Sequence, residues 1–443
     1  MTKEKVLNIN CLFQTIIACI VCACGAMAAT AETFCWKQGE NNVNNAWFNF
    51  GDPANWLIPD PNGSNPNELV PGPEDSIYGR RHGCWNLEGK TWTVKEWLSL
   101  LDWGRYYTYV TNGTLVVTER LSTRRYNVVL RSGATLSFPA GSVLNGGEGD
   151  GGNSNHYMEI GKGAMLDVHG TLEPYNYYLG INPGGMAVID PEDFHMASKT
   201  QERNNTIYVQ GTALFPHGLV WTGGGANANA RFTILLRGGT IVAAGDFSRN
   251  GKTGSFKVTL EDQPEGGTFE ATDDVTFSGV DEAYVNYGMN FNVHDGATLD
   301  MTPFTFLANK TKACRKVGNG VLRLGASLPA GLIVSDGTVS LSSQFNGLPG
   351  FSFLNSGVKL RVEAAGSRLD TIDVPTQKAN LSFECGFDLS GVELETPFFS
   401  SADADILERA KDGFSASCPE DRRVEIVDGS LVCVGSGLRM ILR

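Results

Sequence analysis

The sequence predicts an all-β protein, an elongated parallel β-helix (β-solenoid) with a Trp-rich N-terminal cap and a small C-terminal cap that contains one short helix. A phrase of a glycine, one or two small or polar residues and a β-prone apolar pair recurs at intervals of about 20 to 50 residues, the signature of stacked repeats. Asn-Gly and Asp-Gly turns and short β-prone runs without helical period separate the copies. The copies begin at Gly113, Gly133, Gly163, Gly211, Gly239, Gly267, Gly296, Gly320 and Gly337.

Residues 1–31 have the pattern of a signal peptide. Lys3 and Lys5 give a positive start, an apolar run covers residues 12–23, and small-residue cleavage sites follow. The run is shorter than the roughly 20 apolar residues that a membrane span needs. We therefore expect an exported protein, extracellular or on the cell surface, without a membrane span in the mature chain. A lipoprotein anchored through Cys24 is the alternative, because the residues around it loosely resemble a lipobox.

The charge of the chain limits its partners. The net charge is −13, and an acidic surface repels nucleic acid and anionic membranes. We expect no nucleic-acid partner, and we consider glycans or cell-envelope surfaces as partners instead.

Six cysteines lie beyond the leader, and an even number in an exported chain suggests disulfides. Cys418 and Cys433 flank a predicted hairpin and form the first expected pair. Cys35 and Cys84 would bracket the N-terminal segment and form the second. Isolated thiols are the alternative. The mature chain has no Cys-x-x-Cys motif, so a zinc or redox site is not supported.

Residues 32–110 form the predicted Trp-rich N-terminal cap, and all but one of the eight tryptophans lie here. A solenoid needs a closed end because its first coil would otherwise expose a sheet edge and an apolar face. The tryptophans either fill this cap or stack on sugar rings. Trp47, Trp56 and Trp85 are the candidates for such a carbohydrate-binding site.

Residues 111–395 form the predicted repeat body. If its coils stack in register, the glycine phrases lie on one side and their apolar residues point inward. The polar segments 146–155 and 191–205 should project as loops, where binding residues often lie. The predicted inward residues are Leu115, Leu136, Leu166, Val242, Leu299 and Leu322.

Residues 396–443 form the predicted C-terminal cap. A helix is expected over 402–411, closed by Asp412-Gly413, with carboxylates in its first turn that suit the helix dipole. The two β-prone runs on either side of Asp428-Gly429 predict a hairpin.

The N-terminal and repeat patterns together resemble a known group. A Trp…Asn-Trp…Pro-x-Pro-x-Asp opening over residues 36–78 is followed by Gly-Thr-Leu phrases over about residues 110–360. This combination resembles the exported bacterial proteins with autotransporter-associated β-strand repeats, which implies a pectin-lyase-like parallel β-helix. An autotransporter also needs a membrane barrel of at least eight strands. Too little chain follows residue 395 for one, so we expect a protein without the barrel.

One acidic cluster is the best candidate for catalysis. A polysaccharide lyase needs carboxylates for Ca²⁺ and a base, and a glycoside hydrolase needs two carboxylates at a fixed separation. Asp190, Glu192 and Asp193 lie together with His195 beside them. A solvated turn is the other interpretation. No metal-ligand spacing or nucleophile motif occurs, so we expect no metal or cofactor, with Ca²⁺ considered only for a lyase.

The sequence therefore favours an exported, non-catalytic β-solenoid with a structural or adhesive role. A polysaccharide lyase or glycoside hydrolase on the same fold is one alternative, and a carbohydrate-binding protein is another. The sequence favours a protein without enzyme activity over an enzyme, and it does not identify a ligand.

Overall fold

A computed structural model describes residues 31–436, apart from 37–46, 59–63, 66, 80–82, 100–105, 123–125, 146–155, 175–176, 196–203, 223–229, 252, 262–266, 286–287, 307–312, 326–330, 347–350 and 371–380. The predicted signal peptide, Cys24 and the predicted loop 146–155 lie outside the described residues.

Short strands make up most of the structure. The first twenty strands are β1 Thr33–Trp36, β2 Phe48–Asn49, β3 Trp56–Leu57, β4 Ser76–Gly79, β5 Gly83–Asn86, β6 Thr91–Ser99, β7 Tyr106–Thr111, β8 Gly113–Ser122, β9 Tyr126–Leu130, β10 Ala134–Phe138, β11 Val143–Asn145, β12 His156–Ile160, β13 Met165–Val168, β14 Thr171–Glu173, β15 Tyr177–Ile181, β16 Met186–Ile189, β17 Asp193–Phe194, β18 Asn204–Val209, β19 Thr212–Phe215 and β20 Gly218–Val220. The others are β21 Arg231–Arg237, β22 Thr240–Ser248, β23 Ser255–Glu261, β24 Thr268–Thr276, β25 Glu282–Val285, β26 Asn290–Val293, β27 Thr298–Met301, β28 Thr305–Phe306, β29 Cys314–Val317, β30 Val321–Leu324, β31 Leu332–Val334, β32 Thr338–Leu341, β33 Phe351–Phe353, β34 Val358–Val362, β35 Ser367–Arg368, β36 Leu381–Cys385, β37 Pro397–Ser400, β38 Arg422–Val427 and β39 Ser430–Gly435.

Successive coils pair in parallel and build three faces, which confirms the predicted parallel β-solenoid. Face 3 is the 11-stranded sheet β2-β5-β7-β9-β12-β15-β18-β21-β23-β25-β28. A 24-stranded sheet forms the other two faces. A single sheet can form two faces because long strands pass around the corner between them. In β8, residues 113–116 pair with β10 on face 1 and residues 120–122 pair with β11 on face 2. With strands about 4.8 Å apart, the eleven strands of face 3 form a stack roughly 50 Å long.

The two faces of the larger sheet continue in register from coil to coil. Face 1 runs through β10, β13, β16, β19, the first half of β22, the first half of β24, β26, β29, β31 and β33. Face 2 runs through β4, β11, β14, β17, β20, the second half of β22, the second half of β24, β27, β30, β32, β34 and β36.

The first six glycine phrases, from Gly113 to Gly267, stack at the start of face 1, but the prediction of a single column is wrong for the last three. The amide of Gly113 donates to the carbonyl of Gly133, and the amide of Gly133 donates to that of Gly163, each over 2.8 Å. Gly133 and Gly163 have φ of 74° and 71°, a left-handed conformation that favours glycine. The phrases from Gly296 onward form a second column, because they precede strands of face 2.

The interior is filled by the inward residues of all three faces. Five of the six predicted inward residues are fully buried: Leu115, Leu136, Leu166, Leu299 and Leu322. The prediction for Val242 is wrong. Ile241 is buried in its place, because alternation along β22 points residues 240 and 242 outward.

The Trp-rich N-terminal cap is confirmed as an aromatic cluster. The rings of Trp36 and Trp56 are 4.9 Å apart, and those of Trp85 and Trp97 are 4.7 Å apart. The coils already stack in this region, because β4 and β6 pair in parallel with the strands that follow them. The two-residue strand β3 pairs antiparallel with β1 and ends face 2, and such a short edge limits further pairing.

The C-terminal cap has one helix, α1 Ala404–Ser415, and the predicted hairpin β38–β39. The side chain of Asp403 caps the helix by accepting from the amides of residues 405 and 406. The helix passes through Gly413 instead of ending there. A Cβ at this position would lie 2.0 Å from the carbonyl oxygen of Phe383, so the glycine permits close packing on β36. Phe414 packs on Phe383 and closes the end of the stack.

The predicted loop 191–205 is wrong at both ends. Asp193–Phe194 is β17, which pairs with β14, and Phe194 is 1% exposed. Asn204–Val209 is β18 on face 3. The stacked coils continue through this segment because the side chain of Phe194 fills the interior of its coil beside Leu172. Residues 196–203 lie outside the described residues.

Candidate functional site

Two aspartates and two histidines form a ladder at the corner between faces 1 and 2. Asp167 and His169 belong to one coil, Asp190 to the next and His217 to the one after. The His169 Nε2 is 3.0 Å from an oxygen of Asp167, and its Nδ1 is 3.5 Å from Asp190. Nδ1 of His217 lies 2.7 Å from the other oxygen of Asp190. Acid and base therefore alternate across three coils.

A second ladder runs beside the first along face 2. The His195 Nδ1 is 2.8 Å from Asp193, and its Nε2 is 3.7 Å from Glu173 of the preceding coil. The hydroxyl of Thr222, one coil further, hydrogen-bonds the other oxygen of Asp193. Each polar group of this ladder thus meets a partner on a neighbouring strand.

A cavity of about 160 Å³ opens at this corner. Its lining includes Asp190, Glu192, Asp193, His217 and Thr222. The structure therefore places the three carboxylates that sequence reasoning selected at one cavity. One of them is tied back to the scaffold, because Glu192 accepts the Gly141 amide over 2.8 Å.

The ladders favour the charged forms of Asp190 and Asp193. Hydrogen bonds that the His169 imidazole donates to Asp167 and then to Asp190 raise the pKa of His169 to about 10. Hydrogen bonds from His169 and His217 lower the pKa of Asp190, although burial opposes them. Burial raises the pKa of Asp193, but hydrogen bonds from Thr222 and His195 outweigh it, so the net pKa is lowered.

These pKa shifts bear on the chemistry that the corner can perform. A glycosidase acid needs a carboxyl group whose pKa is raised, so that it carries a proton at neutral pH. Asp190 and Asp193 are shifted in the opposite direction. The arrangement suits charge-assisted hydrogen bonds between coils.

Sequence reasoning missed His169 and His217. They lie 21 and 27 residues from Asp190, far beyond the reach of a local motif. The repeat could have predicted them, because His169 lies in the coil before Asp190 and His217 lies in the coil after it, at the same corner.

The tryptophans expected to bind sugar do not all reach the surface. Trp56 is 1% exposed and Trp85 is 0% exposed, so neither can stack on a ligand. The indole of Trp56 donates to the carbonyl of Phe50 over 2.8 Å. Trp47 is 43% exposed. The interpretation as cap filling therefore holds for Trp56 and Trp85.

No disulfide joins any of the cysteines whose side chains are described. Cys418 and Cys433 are neighbours, because their thiols hydrogen-bond one another, but no disulfide joins them. Cys84 is also a free thiol and lies on face 3, whereas the backbone of Cys35 belongs to the larger sheet. The structure gives no support to a Cys35–Cys84 bond.

Neither a metal-ligand cluster nor a membrane-spanning helix occurs in the described part of the chain. No group of three His, Cys, Asp or Glu side chains there is placed to hold a metal ion. No helix among the same residues is long and apolar enough to cross a membrane.

Comparison of the chain with protein-family models, curated proteins and solved structures finds no match. The fold places the protein in the class of parallel β-solenoids.

Proposed function

We propose that the protein is an exported, non-catalytic β-solenoid with a structural or adhesive role outside the cell or on its surface. The resemblance to proteins with autotransporter-associated repeats and the signal-peptide pattern of residues 1–31 support the location. The fold supports the role, because a stack of rigid coils presents long, regular surfaces.

The corner between faces 1 and 2 carries the proposal. Its carboxylates are the best catalytic candidates in the sequence, yet Asp190 and Asp193 are engaged by His169, His195 and Thr222 of the same or adjacent coils. The described lining of the cavity includes no lysine or arginine. Groups arranged in this way stabilise the stack.

The test is turnover of polysaccharides. The purified mature protein is incubated with neutral and uronate-containing polysaccharides, with and without Ca²⁺, and new reducing ends and unsaturated uronate absorbance are measured. We expect no product in any sample. Product that is lost in both Asp190→Asn and Asp193→Asn, with the fold intact by circular dichroism, would establish the lyase or hydrolase alternative instead.

The same proposal includes a disulfide. In an oxidising compartment, two neighbouring thiols are converted to a disulfide when their geometry permits. The Cys418 and Cys433 thiols are neighbours on the C-terminal cap, so this pair is the one expected in the exported protein.

A further inference from the structure

Face 3 carries tyrosines on its outward side over many coils. The inward positions of these strands are buried and mostly apolar, with Thr108 and Asn205 as polar exceptions, and alternation places the tyrosines on the opposite side. Each of them is half-buried, so it packs on the sheet while part of the ring faces solvent. They are Tyr107, Tyr109, Tyr157, Tyr178, Tyr208 and Tyr284.

Three of these rings, from three consecutive coils, form one aromatic surface. We call Tyr157, Tyr178 and Tyr208 the Tyr strip. The rings of Tyr157 and Tyr178 are 5.3 Å apart with 60° between their planes, and those of Tyr178 and Tyr208 are 5.8 Å apart with 30° between their planes. Tyr157 is the direct strand partner of Tyr178, and Tyr208 is that of Gly180.

Gly180 gives the middle ring its position. A Cβ at this residue would lie 2.9 Å from Cε1 of Tyr178. The ring therefore lies across the glycine, close to the sheet, where any larger residue would displace it. A flat ring on a rigid sheet loses little conformational entropy when a ligand stacks on it.

Charges of both signs lie beside the rings, and Glu159, the strand partner of Gly180, is one of the groups that act on the Tyr178 hydroxyl. Arg237 approaches the Tyr208 hydroxyl at 3.4 Å and Glu261 at 3.8 Å. Lys257 lies 5.1 Å from the Tyr284 ring and 2.7 Å from Glu282. Burial, followed by the neighbouring Tyr208, raises the pKa of Tyr178 to about 12, so its hydroxyl stays neutral at physiological pH.

We infer that the Tyr strip binds a neutral polysaccharide chain, with pyranose rings stacked on the tyrosines. The inference rests on the proposed adhesive function and names its surface and partner. Aromatic faces pack on the C–H face of a pyranose, and tyrosine hydroxyls bond its hydroxyl groups. Charges of both signs beside the rings suit a neutral ligand better than a charged one. Nucleic-acid bases also stack on aromatic rings, but the net charge of −13 opposes a phosphate backbone.

The experiment is affinity gel electrophoresis of the full mature protein. The neutral probes are hydroxyethylcellulose, galactomannan and xylan, and polygalacturonate is the anionic probe. We expect at least one neutral polysaccharide to retard the wild type. Tyr178→Ala and Tyr208→Ala should each weaken retardation about tenfold, the effect of losing an aromatic contact residue. Tyr178→Phe and Tyr208→Phe keep the ring and should retain most of the binding.

Two controls make the result specific. Met186→Ala truncates a residue of face 1 that is 37% exposed and should bind like the wild type. Thermal melts verify folding, and Tyr157→Ala replaces Tyr178→Ala if the latter unfolds.

Three outcomes would overturn the inference: no retardation of the wild type by any neutral probe, unchanged binding in the alanine variants, or retardation by polygalacturonate alone. Shortening of a probe would instead refute the non-catalytic function and leave binding by the Tyr strip to be judged from the variants.

Discussion

Asp190→Asn tests whether the acidic corner stabilises the stack. The substitution keeps the shape of the side chain and removes the charge that Asp190 shares with His169 and His217. His217 is 83% exposed, so its contact contributes little, at most about 0.5 kcal/mol. The contact with His169 joins less exposed groups and contributes about 1 kcal/mol. We therefore expect the free energy of unfolding to fall by about 1–2 kcal/mol.

The pH dependence of this loss gives the sharper test. The pKa of His169 is raised from 6.5 to about 10 in the folded protein. Its stabilising effect is complete below pH 6.5 and is lost as the pH rises through about 10. The pKa of Asp190 is lowered, so its contribution is present above the ordinary value of 3.8 and is lost as the pH falls through the folded-state pKa. The difference between wild type and Asp190→Asn should therefore be largest near pH 6.

The assay is urea unfolding of both proteins at pH 6 and pH 10.5, combined with NMR titration of the His169 imidazole. His217→Gln, which changes an exposed partner of the same carboxylate, is the matched control and should cost less than Asp190→Asn. An equal loss of stability at both pH values, or titration of His169 near 6.5, would refute the electrostatic role.

Three further predictions concern the interior and the thiols. Phe232→Ala should lower the free energy of unfolding by about 3–5 kcal/mol in urea melts, because its buried ring packs on Phe194 and Phe256, while Thr233→Ala on the outward side of β21 should change it little. Burial lowers the pKa of Lys316 from 10.5 to about 8, so this residue should make wild-type stability rise with pH between those values, and Lys316→Met should remove that contribution; identical pH slopes would contradict it. Peptide mapping of the oxidised protein without reductant should recover a Cys418–Cys433 cross-link, and free thiols at both positions would exclude it.

The sequence predicted the stacked coils because each coil of a solenoid needs similar residues at its turns and in its interior. Glycine is favoured where the chain turns with positive φ, as at Gly133 and Gly163, and where a Cβ would collide with the backbone of the preceding coil, as at Gly211 and Gly239. The phrases were therefore visible without a structure. The error at Val242 has a local cause: the inward residue follows Gly239 by two positions, whereas it follows Gly133 by three. A shift of one residue reverses the side of a strand.

The sites were less predictable because they are assembled across coils. Asp190 and Asp193 stood out as a local acidic cluster, but His169 and His217 joined them only through the stacking of three coils. Tyr157, Tyr178 and Tyr208 come from coils of unequal length, so no fixed spacing revealed the Tyr strip. The concentration of tryptophans drew attention to the N-terminus, where Trp56 and Trp85 fill the core.

The most direct measurement follows the length of a polysaccharide to which the protein is bound. A neutral polysaccharide that retards the protein is incubated with it at saturation, with and without Ca²⁺, and its molar mass is measured over time by size-exclusion chromatography with light scattering. The non-catalytic solenoid predicts a bound polymer of constant molar mass. A steady fall in molar mass that Asp190→Asn or Asp193→Asn abolishes, with binding retained, would contradict it.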